Sequence, residues 1–498
     1  MAAPERLRNA VATPAEKNSN ELPRLGEFGC YVGGEWIKTN DAIEVRSPFD
    51  GSLIAVVHRA GPNEIESAIT KATKAFQITR KMAVWKRSEV LEKISAGIAA
   101  RREEFAQTIA LEAGKPIRTA RIEVDRAVFT FKIAAEESKR IYGEVVPLDW
   151  IQGMEGREAQ VRRVPLGPVV GISPFNFPIN LVAHKVAPAL AAGDPIILRP
   201  ASQTPISALK LAEVIHTSGW PLEGFSVVPC TTKDATALIE DERICLLTFT
   251  GSPAIGWSLK SRAGRKRVTL ELGGNAGVIV HKDADVSYAA ERVAWGGFSY
   301  AGQSCISVQR VYVHTDVYES FVKDFVSRVK ALKIGDPLDE STDVGPVIDK
   351  GAAERVEEWV AEAKKSGATV LTGGERKDNL WQPTVLADLK PEMRVSCQEV
   401  FAPLVGLYRY TDIRQAIAAV DDSDFGLQAG LFTHDLNVIK QAFEDIDVGG
   451  LMVNDVSTFR IDHMPYGGVK QSGFGREGLR YAIEEMSELK LLTFNYRS

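Results

Sequence analysis

The chain has 498 residues, 45% hydrophobic and 25% charged, with a formal net charge of −5. A chain of that length suggests about three domains and ample material for a core. No surplus of positive charge steers it to phosphate backbones or anionic headgroups, which argues against a dedicated nucleic-acid or membrane-surface protein, and no apolar run reaches bilayer length.

From Met1 to about Leu25 the sequence is polar and mixed in charge (Glu5, Arg6, Arg8, Glu16), without the apolar centre of a signal peptide, and is expected to be a frayed arm. From about Gly61 to Tyr142 the spacing predicts helices: Ile65, Ile69, Ala72 and Phe76 recur at three- and four-residue steps, as do Leu91, Ile94 and Ile98. Between Tyr142 and Val170 the chain turns extended, in 143–148 and again in 159–164. Such a ribbon suits either pairing outside the main core or a surface hairpin.

From Val169 to Glu271 apolar strands alternate with helices. The expected strands are 169–172, 195–198, 225–228, 244–249 and 267–271, and a helix over 181–192 ends at Gly193. Apolar strands separated by helices predict an α/β fold with a doubly wound parallel sheet, which binds ligands beyond the carboxyl ends of its strands. A second alternating block runs from Gly277 to about Asn454, with strands expected at 308–313, 404–408, 431–433 and 451–454 and helices near 289–294, 319–332 and 355–364. The tail 484–494 is read as a helix end followed by a strand.

The five cysteines (Cys30, Cys230, Cys245, Cys305, Cys397) are scattered and form no CxxC pair, so neither a disulfide framework nor a zinc site is encoded, and a reducing compartment, the cytoplasm, is expected. HExxH is absent, and the seven histidines do not cluster at ligand spacing, so no metal site is expected. A glycine-rich turn, Phe249-Thr250-Gly251-Ser252-Pro253-Ala254-Ile255-Gly256, follows one strand and opens a helix. It suits either a phosphate on backbone N–H groups or simple packing, since the GxGxxG fingerprint is missing. The strand at 195–198 runs into Arg199 and Ser202, which leave room for a coenzyme 2′-phosphate and place no carboxylate against it.

A lone cysteine such as Cys305 is more often a small buried hydrophobe than a nucleophile. Here it has company: the carboxylate of Glu271 beside Gly273-Gly274, and the amide of Asn176 in Pro174-Phe175-Asn176-Phe177-Pro178. A thiol, a carboxylate and an amide are the groups that oxidative acyl chemistry needs.

These segments, with Glu399-Val400-Phe401-Ala402-Pro403 and Pro465-Tyr466-Gly467-Gly468, resemble the aldehyde dehydrogenase superfamily over roughly Tyr31 to Asn495. They are nearest in pattern to its lactaldehyde and non-phosphorylating glyceraldehyde-3-phosphate members. The resemblance implies a dinucleotide-binding domain at 1–141 and 165–271, a catalytic domain at 272–475, and an oligomerisation ribbon at 142–164 and 484–498 that joins subunits into a homodimer or homotetramer. It implies Cys305 as nucleophile, Glu271 as the base that activates water, Asn176 with the Cys305 N–H as oxyanion donors, and Lys185 with Glu477 as a proton relay. Phe249, Gly251, Ser252, Gly256, Leu272, Glu399 and Phe401 are implied to hold NAD or NADP. Family members usually carry lysine where Arg199 stands, and many NAD-preferring ones carry glutamate where Ser202 stands, so the expectation leans to NADP.

The same resemblance implies that Asn180, His184, Arg126 and Arg460 line or approach the substrate tunnel, and points to a short polar aldehyde such as lactaldehyde, glycolaldehyde, glyceraldehyde or a semialdehyde. Ser304 stands where the glyceraldehyde-3-phosphate enzyme has arginine, so one anion clamp is missing and a phosphate ester is in doubt. On the residues alone His184 is more often a satisfied core histidine and Arg126 equally a salt-bridge partner. A CoA-acylating semialdehyde dehydrogenase and a non-redox cysteine hydrolase or acyltransferase stay open as alternatives.

Overall fold

The computed structural model describes residues 22–496, so the arm expected from Met1 to about Leu25 lies almost wholly outside the described residues. Five parallel strands form the centre of an eight-stranded sheet: Val169–Ile172, Ile196–Arg199, Phe225–Val227, Leu246–Thr250 and Arg267–Glu271. Nearly all of their residues are buried, because helices cover both faces. The chain enters at Val169–Ile172 and steps to Ile196–Arg199 and Phe225–Val227 on one side. It then crosses back to Leu246–Thr250 and Arg267–Glu271 on the other. That reversal opens a crevice beyond the carboxyl ends of Val169–Ile172 and Leu246–Thr250.

A second, seven-stranded sheet is built around Ala276–Val280, flanked by Val308–His314 and Gln428–Phe432. Residues 272–275 pass directly from the carboxyl end of Arg267–Glu271 to the amino end of Ala276–Val280. The carboxyl edge of the first sheet therefore meets the amino edge of the second, and loops from both converge there. Gly473–Phe474 returns from the far end of the sequence to pair antiparallel with Arg267–Glu271, bringing Gly473 opposite Glu271.

The helical stretch resolves into Pro62–Thr79, Val84–Ala100, Arg102–Ala113 and Ile117–Ser138. Helix Asn180–Ala192 ends at Gly193 in the left-handed conformation, its N–H bonded to the carbonyls of Ala189 and Leu190. Strands Val169–Ile172 and Arg267–Glu271 fall where expected; the other expected strands differ at one or both ends by one to three residues, and sheet register decides them. Pairing of Thr250 with Glu271 draws Thr250 into its strand, and pairing of Ile172 with Arg199 draws in Arg199. The expected helix at 289–294 spans Val286–Phe298, because Asp285 accepts the N–H of Tyr288 and starts it earlier. Short strands such as Ala42–Arg46, Leu53–His58 and Thr384–Ala387 carry too little pattern to be singled out.

Three antiparallel strands stand apart: Glu144–Pro147, Arg157–Pro165 and Ser487–Asn495. The last two pair from Ser487 opposite Pro165 to Asn495 opposite Arg157, and leave Leu489, Leu491 and Val145 exposed. Among the described residues no helix is long and apolar enough to cross a membrane.

One ion pair at the convergence point is wholly buried, between Lys115 and Glu123. Glu123 also accepts the N–H groups of Ile179 (3.0 Å) and Asn180 (3.2 Å), the first donors of helix Asn180–Ala192. Lys115 Nζ lies 3.6 Å from the ring centre of Phe177 and 4.3 Å from that of Tyr300. Burial pulls the lysine down to about 8, while Glu123 opposes the shift. Removing one partner strands a buried charge. Lys115→Met is expected to lower stability by about 3–5 kcal/mol in denaturant titration. Lys115→Met with Glu123→Gln should recover much of that loss, because the amide oxygen still accepts both N–H groups.

Candidate active site

The loops converge on a cavity of about 300 Å³ with Cys305 in its wall. Cys305 precedes strand Val308–His314 and follows Tyr300, Ala301 and Gly302, three successive residues with positive φ (49°, 52° and 68°). Two of them are not glycine, so the backbone is strained here and must be held from outside. The hydroxyl of Tyr300 donates to the carbonyl of Ala113 (2.9 Å). Gln303 donates through Nε2 to Pro346 (3.3 Å) and accepts the N–H of Ile348 (2.8 Å). At Gly302 a side chain would run into the carbonyl of Ala402.

Asn176 follows strand Val169–Ile172 and lines the same cavity, buried. Its Nδ2 donates to the carbonyl of Gln303 (3.0 Å), which ties the two loops together. The amide has a second N–H hydrogen, and its Oδ1 has no partner among the described residues.

Glu271, the last residue of its strand, does not line the cavity but lies buried behind the wall. Neither carboxylate oxygen has a hydrogen-bond partner among the described residues. Burial, then the nearby Glu477, pushes it well above the usual carboxylate range, against the pull of Arg460, Lys185 and Arg476. Lys185 Nζ donates to Thr250 (2.7 Å) and Thr248 (3.2 Å) and lies 3.4 Å from Glu477. Burial lowers Lys185; Glu477, despite its own burial, is held down to about 2 by Lys185 and Arg460.

Cys305 Sγ is 3.0 Å from the hydroxyl of Tyr466, its one hydrogen-bond partner among the described residues. Burial pushes the thiol up to about 12; Tyr466 and Arg460 oppose this, while Glu399 and Glu271 add to it. Arg460 stacks on the Tyr466 ring, 3.6 Å from its centre, and donates to Glu477 (3.0 Å), which leaves its Nε without a partner among the described residues.

The substrate-side candidates divide. Arg126, Asn180, Arg460 and Ser304 line the cavity; His184 does not. His184 is buried 2.8 Å from Asp462, which also takes Asn180 Nδ2 (3.2 Å) and two donors of Arg126 (2.6 and 3.1 Å). Asp462 is thus the hub of this wall, held far below the usual range chiefly by His184 and Arg126 against its burial. Neither Asp462 nor the role of Tyr466 is visible in the sequence as such. Asp462 falls in no motif, and Tyr466 stands only as the aromatic of Pro465-Tyr466-Gly467-Gly468.

The cavity continues along Thr250, Gly251, Ser252 and Leu272 toward Glu399 and Phe401. A Cβ at Gly251 would meet the Phe249 ring, and one at Gly256 would meet Leu272, so the turn keeps its backbone bare at the start of helix Pro253–Arg262. Glu399 accepts the N–H of Gly274 (2.9 Å). Burial raises Glu399 to about 7, while that bond and Arg355 hold it back. Phe401 has φ 53° and packs edge-on to Phe175. Arg199 and Ser202 lie outside this cavity; Ser202 is exposed, and Arg199 donates to Cys230 (3.2 Å) with its buried Nε unpartnered. The N–H groups of Gly251 and Gly256 are already bonded to the carbonyls of Glu271 and Ser252, so it is the uncrowded helix start itself, with a carboxylate and a guanidinium N–H unpartnered among the described residues, that fits a dinucleotide carrying phosphates and ribose hydroxyls.

The chain matches the Aldehyde dehydrogenase family over residues 36–492. It is 46% identical over 478 residues to the 3-sulfolactaldehyde dehydrogenase of Priestia megaterium, covering 95% of this chain and 99% of that one. The crystal structure of aldehyde dehydrogenase 21 from Physcomitrella patens in complex with the reaction product succinate superposes with a TM-score of 0.93 at 44% identity, covering 95% and 99% of the two chains. The glyceraldehyde-3-phosphate dehydrogenase of Methanocaldococcus jannaschii, complexed with NADP, superposes with a TM-score of 0.88 at 37% identity, over 92% and 100%. The chain therefore belongs to the aldehyde dehydrogenase family and is an NAD(P)-dependent oxidoreductase acting on aldehydes.

Proposed function

We propose that the protein oxidises a short aldehyde bearing an anionic end, a sulfonate or carboxylate, to the corresponding acid. The observation that carries this is the unpartnered Nε of Arg460, a buried cationic donor in the wall of the cavity that holds Cys305. Glu477 already balances the charge of Arg460, but the leftover N–H still calls for an acceptor, and an anionic group on the entering substrate supplies one. Arg126 is already held by two bonds to Asp462 and serves mainly to shape that wall. The names of the 3-sulfolactaldehyde dehydrogenase and of the succinate complex point the same way. Ser304 offers no further charge beside the nucleophile, which disfavours a dianionic phosphate.

In this reading the Cys305 thiolate attacks the aldehyde carbon. The resulting alkoxide is met by the free N–H of Asn176 and the backbone N–H of Cys305, donors fixed before reaction. The nicotinamide, when bound, accepts the hydride that leaves as the alkoxide collapses. Gly251, Ser252 and Gly256 with the N-terminus of Pro253–Arg262 would lie against the pyrophosphate; Leu272, Glu399 and Phe401 would hold the ribose and ring; Arg199 with Ser202 would admit a 2′-phosphate, which favours NADP. Cys305 is then a thioester. Glu271 takes a proton from water, the hydroxide attacks the thioester, and the acid leaves with the thiolate restored. Lys185 and Glu477 carry that proton onward from Glu271. The exposed leucines on Ser487–Asn495 support a subunit contact on the ribbon.

Glu271→Gln is expected to permit one turnover and stall. Reduced coenzyme should appear in a burst equal to the enzyme, with an acyl mass on the Cys305 peptide, while steady turnover falls about 10²- to 10⁴-fold. No burst, or release of acid at the parent rate, removes Glu271 as the base. Arg460→Ala should lower kcat/KM for sulfo- and carboxy-aldehydes at least about tenfold more than for propanal or lactaldehyde. An equal loss on both sets defeats the anion reading. Arg199→Ala should raise the KM for NADP about tenfold more than that for NAD; parallel changes would place the 2′-phosphate elsewhere.

A further inference from the structure

We propose that Tyr466 is a positioning residue for the nucleophile: its hydroxyl donates to Cys305 Sγ, steers the sulfur into the cavity and favours the thiolate. This rests on Cys305 being the reactive thiol. The 3.0 Å contact is the hydroxyl's one hydrogen bond among the described residues, and the phenol is buried. A buried O–H with a single neighbour donates to it, and sulfur accepts best as thiolate. The Cys305 proton then leaves to solvent water. Tyr466 does not take it, because burial keeps the phenol protonated far above neutral pH.

Arg460 acts on the sulfur through this tyrosine as well as by its own charge. Its guanidinium covers the ring face at 3.6 Å, drawing electron density from the ring and strengthening the O–H as a donor. Glu477 holds the guanidinium there, and Lys185 lies 3.4 Å from the same carboxylate. The nucleophile is thereby tied through one aromatic ring to the buried charges behind the wall. The charged groups that face the Cys305–Tyr466 pair are Arg460, Glu271 and Glu399; the two carboxylates disfavour the thiolate and Arg460 favours it.

The test reads the thiol directly, with neither aldehyde nor coenzyme present, so its outcome is separate from the substrate reading. Full-length protein is alkylated with iodoacetamide from pH 5.5 to 10, and the label on the Cys305 peptide is followed by mass spectrometry. The other four cysteines are scored separately on their own peptides. Tyr466→Phe keeps the ring and its stack on Arg460 but removes the donor. It should move the Cys305 profile to higher pH and slow alkylation at pH 7.5 about tenfold. A profile coincident with the parent overturns the proposal. Arg460→Gln tests the relay and stands by itself if Tyr466→Phe does not fold: it should move the profile the same way. Added to Tyr466→Phe, Arg460→Gln should shift the profile less than it does alone, because the part carried by the hydroxyl is already cut and only the direct attraction of its charge remains. Full additivity would show Arg460 acting on the sulfur only directly and would overturn the relay.

Discussion

The buried pair of Lys115 and Glu123 is the constraint on which the site's geometry depends. Two charges without water need each other and every remaining hydrogen-bond partner. Glu123 finds its partners in the first N–H groups of helix Asn180–Ala192, and Lys115 in the faces of Phe177 and Tyr300. The pair therefore grips the loop that carries Asn176 and the left-handed turn that leads to Cys305. Those loops come from different sheets, and the bond from Asn176 to Gln303 locks them at the point of contact. Strain at Tyr300 and Ala301 is tolerable because the Tyr300 hydroxyl and ring are fixed on both sides.

A second charged cluster sits behind the cavity, comprising Lys185, Glu477, Arg460 and Glu271. Lys185 and Arg460 both pair with Glu477, whereas Glu271 makes no hydrogen bond among the described residues. An unpartnered buried carboxylate costs stability, and such costs concentrate where chemistry uses them. Asp462 gathers Arg126, Asn180 and His184 into a neutralised wall, so Arg460 is left as the positive group with a free donor. Of Arg126 and Arg460, the one whose carboxylate leaves a donor unpaired, Arg460, is the stronger candidate for an anion.

Much of this was legible in the chain. Alternating apolar strands and helices from Val169 to Glu271 state a parallel sheet, because such strands are buried on both faces and lose the period of two. Gly193 marks a helix end by its left-handed backbone, and Gly251 and Gly256 mark a turn too crowded for a Cβ. Strand ends were less legible: Thr250 and Arg199 join their strands through register with neighbours distant in sequence. His184 shows the same limit for a side chain. Its place beside Asp462 depends on a contact across 278 positions, which no local pattern encodes.

By itself the sequence determined the fold class and the family, and it singled out a thiol, an amide and a carboxylate as candidates, since these follow from local periodicity and from residue types in short segments. Only the tertiary structure decided which charges pair. Arg126 with Asp462, Arg460 with Glu477, and Tyr466 against Cys305 are each set by how loops from two sheets meet. The reason is physical: a side chain's chemistry is carried by its own residue, but its burial, its partner and hence its charge state belong to the surroundings that folding assembles.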